Sequence, residues 1–175
     1  MAGISLTFSI NFPGAEIWNE LMTEFRADEP KLVNAMQTVA DVTKETLREH
    51  INKDVYEKWT PSSYQRRGES GGIIDLSLVD PSVGSGEMTL YYAPSGDSEQ
   101  WDNPLGGNAL IGRIESGSGY EWYPHPGPRP FWKNFVNEMI DSKFASAYDE
   151  AMSAQFGSDY EGGTTVERES GDGEY

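Results

Sequence analysis

The stretch that decides the fold runs from Asp28 to Asn52 and reads DEPKLVNAMQTVADVTKETLREHIN. Its apolar residues recur at intervals of three and four, the spacing of one face of an α-helix. Asp28 supplies an acidic N-cap, and Pro30 fits the first turn. The pattern therefore predicts a helix over this stretch with one buried face. The residues on that face are Leu32, Met36, Val39, Ala40, Thr43, Leu47 and Ile51.

Strands are predicted before and after this helix. Residues 4–12 alternate apolar and polar side chains, the period-2 pattern of a strand with one buried face. The runs at 88–93 and 109–115 indicate two more strands, and residues 73–79 fit a short helix or a strand. Because strands and helices do not alternate regularly, we expect an α+β fold: a small antiparallel sheet with helices on one face.

Two further helices complete the predicted domain. Residues 15–27 have the spacing of a short amphipathic helix, and apolar residues repeat for about six turns from Pro130, which suits a first turn. Residues 1–157 are expected to form a single domain with extended loops. Residues 158–175 are acidic, rich in glycine and almost without apolar side chains, so we expect a tail that is disordered in the free chain.

The composition excludes several classes of function. Lys and Arg number 13 against 29 Asp and Glu, and a net charge of −16 disfavours a conventional reader of DNA or RNA. The chain has no cysteine, which removes disulfides and thiolate chemistry. The sequence has no pattern typical of a signal peptide, and none of its apolar runs is close to the length of about 18 residues that a membrane span needs. We therefore expect a soluble protein made in a cytoplasm, with no membrane partner.

No motif points to catalysis, a cofactor or a metal. His50 and His125 are the only histidines, and we interpret them as an ordinary helix residue and a turn residue. Glu115 and Asp75 are acids with apolar neighbours, as a glycosidase would need, but two such acids are expected by chance in so acidic a chain. We therefore expect no catalytic residues, no cofactor and no metal.

Aromatic and arginine residues leave two kinds of binding open. Amphipathic rings stack on sugars, which makes a carbohydrate- or surface-binding module the alternative function. The same rings together with arginine are also typical of protein interfaces. The pair Arg66 and Arg67 is then a solvated loop or an anchor between subunits. The aromatic residues concerned are Tyr91, Tyr92, Trp101, Tyr120, Trp122 and Tyr123.

Short motifs in a fixed order resemble the tail-completion, or neck, proteins that join head to tail in long-tailed bacteriophages. After the long helix come Tyr64-Gln65-Arg66-Arg67 and the segment Gly71-Gly72-Ile73-Ile74-Asp75-Leu76-Ser77. A predicted strand end, Ile114-Glu115-Ser116-Gly117, and the approach Gly127-Pro128-Arg129-Pro130-Phe131 follow. The resemblance covers roughly residues 32–148.

The resemblance implies a virion structural protein without catalysis. It implies a homo-oligomeric ring, expected to be a hexamer, between the head-closure or portal side and the tail tube or tail terminator, assembled in the host cytoplasm. DNA would pass without specific binding, in keeping with the acidic chain. The contact residues expected are Trp59, Tyr64, Arg66, Arg67, Trp101, Tyr120, Trp122 and Arg129. The motif residues are Gly71, Gly72, Glu115, Gly117, Pro130 and Phe131.

Residues 114–135, IESGSGYEWYPHPGPRPFWKNF, are interpreted as a joint between elements. Pro130 starts the last helix with a fixed φ, and Phe131 is its apolar anchor. We expect Phe131 to be buried.

Overall fold

Two long helical rods and a three-stranded sheet form the structure of this protein, a computed structural model. It describes residues 4–9, 18–60, 72–84, 87–92, 94, 108–119, 125–161 and 164–166, and for 18–28 only the course of the backbone. The architecture is α+β, as predicted. None of the helices in these ranges is long and apolar enough to cross a bilayer.

The first rod is helix α1 (Trp18–His50), which continues as a π-helical turn (Ile51–Tyr56). The predicted buried face is confirmed, since all seven of its residues are buried. The predicted break at Pro30 is wrong, because α1 runs through it. Proline has no N–H to donate to the carbonyl one helical turn earlier. Pro30 lies on the exposed side of the helix, where water can solvate that carbonyl instead.

The second rod consists of α3 (Phe131–Glu138), a π-helical turn (Met139–Lys143) and α4 (Phe144–Phe156). The predicted helix after Pro130 is confirmed, while its π-helical turn was not foreseen. Met139 and Phe144 lie five residues apart and are both buried. A turn with five-residue hydrogen bonding keeps both side chains on the core face.

The two rods run antiparallel. Lys31 of α1 lies over the ring of Phe156 at the end of α4, with 5.0 Å between Nζ and the ring centroid. At the other end, His50 of α1 contacts Glu138 of α3. The side chains between these two contacts form about half of the hydrophobic core.

The sheet has the order β1-β3-β2 and is antiparallel throughout. Its strands are β1 (Ile4–Ser9), β2 (Val79–Val83) and β3 (Glu87–Tyr92). Phe8 points into the core and stacks on Phe144, with 4.0 Å between ring centroids. On the opposite face the hydroxyls of Thr7 and Thr89 lie 3.0 Å apart. The sheet therefore packs one face on both rods, with β2 and β3 against α1 and the rings of Phe8 and Tyr92 against the second rod, and its other face is polar.

Strands β1 and β3 were predicted, although residues 10–12 and 93 of those predictions lie outside the described residues. Strand β2 was not predicted as such, because Asp80 and Pro81 disfavour strands. Its place at the sheet edge explains why Pro81 is tolerated there. A 3-10 turn (Leu76–Leu78) precedes it, so the ambiguous run 73–79 contains a short helical turn.

The predicted strand at 109–115 is wrong, because these residues form helix α2 (Asn108–Ser116). Ile111 and Ile114, three residues apart, are both buried, whereas Gly112 is exposed. One helical turn separates the two isoleucines, so a helix places both on the core, and a glycine in its interior costs only about 1 kcal/mol. The motif Glu115-Ser116-Gly117 thus ends a helix rather than a strand.

The first part of the predicted tail contacts the domain. Asp149 of α4 accepts hydrogen bonds from the Tyr160 hydroxyl and from the Thr164 backbone N–H. The Tyr160 ring meets the Tyr148 ring edge to face. Burial, and to a smaller extent the electrostatic effects of Tyr160 and Asp149, raise the pKa of Tyr148 to about 12. Val166 packs against the core. Residues 167–175 lie outside the described residues.

The predicted burial of Phe131 is confirmed, since its side chain is 0% exposed. We expect Phe131→Ala to lower the free energy of unfolding by about 3–5 kcal/mol, because it removes a buried ring and leaves a cavity. Phe156→Ala, at a half-buried ring, is the matched control and should cost less than half as much. Urea denaturation measures both values, and equal losses would contradict the placement of Phe131.

Candidate functional site: the helical junction

The segment interpreted as a joint brings the ends of α1, α2 and α3 together. The C-terminal end of α2 is closed by Gly117, whose N–H donates to the carbonyl of Arg113 at 3.0 Å. Gly117 has φ +63°, the left-handed conformation in which helices commonly end at glycine. The chain returns at Arg129, whose N–H donates to the carbonyl of Ile114 at 3.1 Å. Residues 127–129 of the returning chain therefore lie against the end of α2.

The close approach at this point requires glycine at position 117. A Cβ there would lie 2.4 Å from the carbonyl carbon of Gly127 and 2.4 Å from the nitrogen of Pro128. Real Cβ atoms do not come so close to backbone atoms, so a side chain would push the two segments apart. Gly117 is thus needed for both its conformation and its lack of a side chain.

Glu115 links the end of α2 to the start of α3. Its carboxylate accepts a hydrogen bond from the backbone N–H of Trp132 at 2.7 Å, so it caps one of the free N–H groups of α3. Burial raises the pKa of Glu115, and the hydrogen bonds from Trp132 and Lys133 only partly offset it. Pro130 stands at the N-cap, where its carbonyl accepts from the N–H of Asn134 at 3.0 Å.

A polar cluster, consisting of the buried His50 and Asp54 and the partly buried Asn134 and Glu138, joins α3 to the end of α1. His50 Nδ1 lies 3.1 Å from Asp54 Oδ2, and His50 Nε2 lies 3.0 Å from Glu138 Oε2. Asn134 Nδ2 donates to Asp54 Oδ2 at 2.9 Å. Neutral imidazole has one N–H, so both contacts of His50 are hydrogen bonds to carboxylates only when the ring is protonated.

The charges of the cluster are balanced by lysines at its rim. Lys58 lies 3.8 Å from Asp54, and Lys143 lies 3.7 Å from Glu138. Burial acts to raise the pKa of Asp54, but hydrogen bonds from Asn134 and His50 and the positive charges of His50 and Lys58 outweigh it. The pKa of Asp54 is therefore below its ordinary value.

The sequence analysis missed this cluster and treated His50 as an ordinary helix residue. A signal was available, because His50 and Asp54 are four residues apart and continue the helix face that carries Leu47 and Ile51. Polar residues on such a face need buried partners. His125, interpreted as a turn residue, is exposed in the segment before α3, with Nδ1 3.2 Å from the carbonyl oxygen of Pro126.

Of the predicted contact residues, the structure brings Trp59 and Arg129 together. The Arg129 guanidinium lies 5.7 Å from the centroid of the Trp59 ring, and Arg129 is only 6% exposed. This cation–π contact fixes the chain that follows α1 to the start of α3. The other predicted contact residues lie outside the described residues. They are Tyr64, Arg66, Arg67, Trp101, Tyr120 and Trp122.

The predicted motif residues share this junction, with two exceptions. Gly72 belongs to a separate turn, where its carbonyl accepts from the N–H of Asp75 at 3.0 Å. Gly71 lies outside the described residues. Two of the six aromatic residues considered for sugar stacking, Tyr91 and Tyr92, lie in β3. Tyr92 is buried against Trp132, and Tyr91 is 37% exposed on the polar face of the sheet.

The described residues hold no group of three acidic or histidine side chains arranged to bind a metal ion. The polar groups of the cluster hydrogen-bond to one another. The arrangement is suited to holding three helix ends in fixed positions.

Comparisons with known proteins place the chain in a family. Residues 18–154, which include the first rod, the junction and all but the last two residues of the second rod, match the family model described as YomN. The chain therefore belongs to the YomN family, and this phage-derived family makes it a phage-related protein. No curated protein and no solved structure matches it significantly.

Three glycines test the junction. Gly157 also has a positive φ, +61°, but has open space around it, and Gly112 lies in α2 with open space around it. We expect Gly157→Ala, at φ +61° and ψ −130°, to cost about 1–3 kcal/mol for conformation alone and Gly117→Ala to cost more, because backbone atoms must also move. Gly112→Ala should stabilise by about 0.5–1 kcal/mol. Thermal unfolding gives the order, and equal costs at Gly117 and Gly157 would contradict the close approach.

The cluster makes stability depend on pH. Folding lowers the pKa of Asp54, so its carboxylate contributes to the free energy of unfolding at pH values above its pKa in the unfolded chain, about 3.9. This contribution is lost as the pH falls through the lower pKa of the folded protein. Asp54→Asn should cost about 2–4 kcal/mol at pH 7 and progressively less below about pH 4.

The control for this measurement is Asp41→Asn. Asp41 is exposed on α1 and accepts a 3.3 Å hydrogen bond from Gln37. Its loss should change stability by less than about 0.5 kcal/mol. Denaturant unfolding at several pH values separates the variants, and a pH-independent cost of Asp54→Asn would show that its charge is not what stabilises the cluster.

Proposed function

We propose that the chain is a structural component of the phage particle, a tail-completion or neck protein that forms a ring between head and tail and lets DNA pass. The observation that carries this proposal is the match to a phage-derived family over residues 18–154. The order of the motifs from Tyr64 to Phe131 supports the more specific role.

The framework suits such a role because the segments predicted as loops follow residues that the structure holds in place. Trp59, held by Arg129, directly precedes residues 61–71, which contain Tyr64 and the arginine pair. The buried Pro94 precedes residues 95–107, which contain Trp101. Loops that start from a rigid scaffold are common carriers of binding. We infer that these loops reach neighbouring subunits, the connector on the head side and the tube or terminator on the tail side.

The charge of the chain supports passage of DNA without binding. A net charge of −16 repels phosphate, so a ring of such chains would offer DNA no adhesive surface. The acidic surface of a neighbouring copy would also offer carboxylates to the pair Arg66 and Arg67, because guanidinium groups bind carboxylates in a bidentate manner.

The test replaces Arg66 and Arg67 together by glutamate in a phage that depends on this gene. We expect normal folding by circular dichroism but at least about a tenfold loss of infectious particles, with unjoined heads and tails in electron micrographs.

The matched control is Lys44→Glu with Lys53→Glu, which makes the same change of charge on α1 and the turn that follows it. This variant should assemble like the unaltered protein. Normal joining by the arginine variant would show that the pair is a solvated loop. Joined particles in the complete absence of the protein would overturn the proposed function itself.

A further inference from the structure

The two edges of the sheet differ in how far they can accept another strand. The outer strand β2 contains the exposed Asp80 and the half-buried Pro81, and a proline in an edge strand has no N–H to offer a neighbour. The opposite outer strand, β1, reads ISLTFS over residues 4–9 and contains neither proline nor an ionisable side chain. Among the described strands, β1 alone lacks the features that natural sheets use to block edge-to-edge pairing.

We propose that the edge of β1 pairs with the same edge of a second copy of this chain, which makes one continuous six-stranded antiparallel sheet. The proposal does not depend on the ring described above, because it concerns the free protein in solution.

Charge favours a second copy over another partner. Each chain carries −16, so two copies repel each other over most of their surfaces. The β1 strand has no charge, which makes it a place where like-charged copies can approach. A basic partner would find no complementary charge on this strand.

In β1 the alternation of polar and apolar residues is the same in both directions from Thr7. Opposed residues in an antiparallel pair lie on the same face of the sheet, so core-facing Leu6 and Phe8 must oppose core-facing residues. A twofold axis at Thr7 satisfies this rule, because it places Leu6 opposite Phe8 and Ser5 opposite Ser9 of the second copy. Thr7 then lies opposite Thr7 of the second copy.

The polar face of the sheet supports the same pairing. Thr7 already shares a hydrogen bond of 3.0 Å with Thr89 across β1 and β3. Pairing at Thr7 extends this contact into a row of four threonines across the two copies. Opposed threonines are among the favourable cross-strand pairs.

The experiment introduces a positive or a negative charge at Thr7 in the full chain. The unaltered protein should show a concentration-dependent dimer by sedimentation equilibrium. Thr7→Lys and Thr7→Glu should each weaken self-association at least about threefold, because like charges then oppose each other at the axis. An equimolar mixture of the two variants should restore dimers that contain one of each, as native mass spectrometry can show.

Ser82→Lys and Ser82→Glu are the controls, since Ser82 is exposed on β2 and also lies beside Thr89. They should leave the dimer unchanged. A protein that is monomeric at every soluble concentration would overturn the proposal. So would β1 amides that are protected from hydrogen exchange equally in dilute and concentrated solution, because a segment of the same chain would then cover the edge.

Discussion

The packing of α1 against the second helical rod is the constraint on which the rest of the structure depends. Each rod buries one face against the other, and their antiparallel course is set by Lys31 on Phe156 at one end and His50 on Glu138 at the other. The apolar contact supplies most of the stabilisation, but it leaves the rods free to slide by a turn. The polar cluster removes this freedom, because a shift would leave Asp54 without its donors.

From this register follows the geometry of the junction. Asn134 reaches Asp54 only when α3 starts where it does, and Glu115 caps α3 only when α2 ends beside it. Gly117 lets the returning chain pass at the required distance. The result is a framework whose polar groups are largely engaged with one another. In this phage-related chain of the YomN family, the framework holds three helix ends in fixed positions.

Several elements could be predicted because their sequence pattern and their environment agree. The long helix face, β1 and the helix after Pro130 each repeat apolar residues with the period of the structure they adopt. The predictions failed where local preference and tertiary packing disagree. Pro30 is accommodated on an exposed side of α1, Ile111 and Ile114 form a helix face, and Pro81 is tolerated at an edge. The two prolines are tolerated because an exposed helix side and a sheet edge leave their missing N–H groups without large cost, whereas in α2 the burial of two isoleucines outweighs the cost of about 1 kcal/mol for an interior glycine.

The sequence by itself determined the α+β class, the buried face of α1, the helix after Pro130, the burial of Phe131 and the phage-related family pattern, because these depend on periodicity and on the order of motifs. Tertiary structure alone decided the polar cluster, the cap that Glu115 places on α3 and the contact of Arg129 with Trp59. Glu138 lies 88 positions after His50, and no local pattern encodes a pairing over such a distance. It arises because apolar burial brings the two rods together, and a buried polar group is stable only beside a partner.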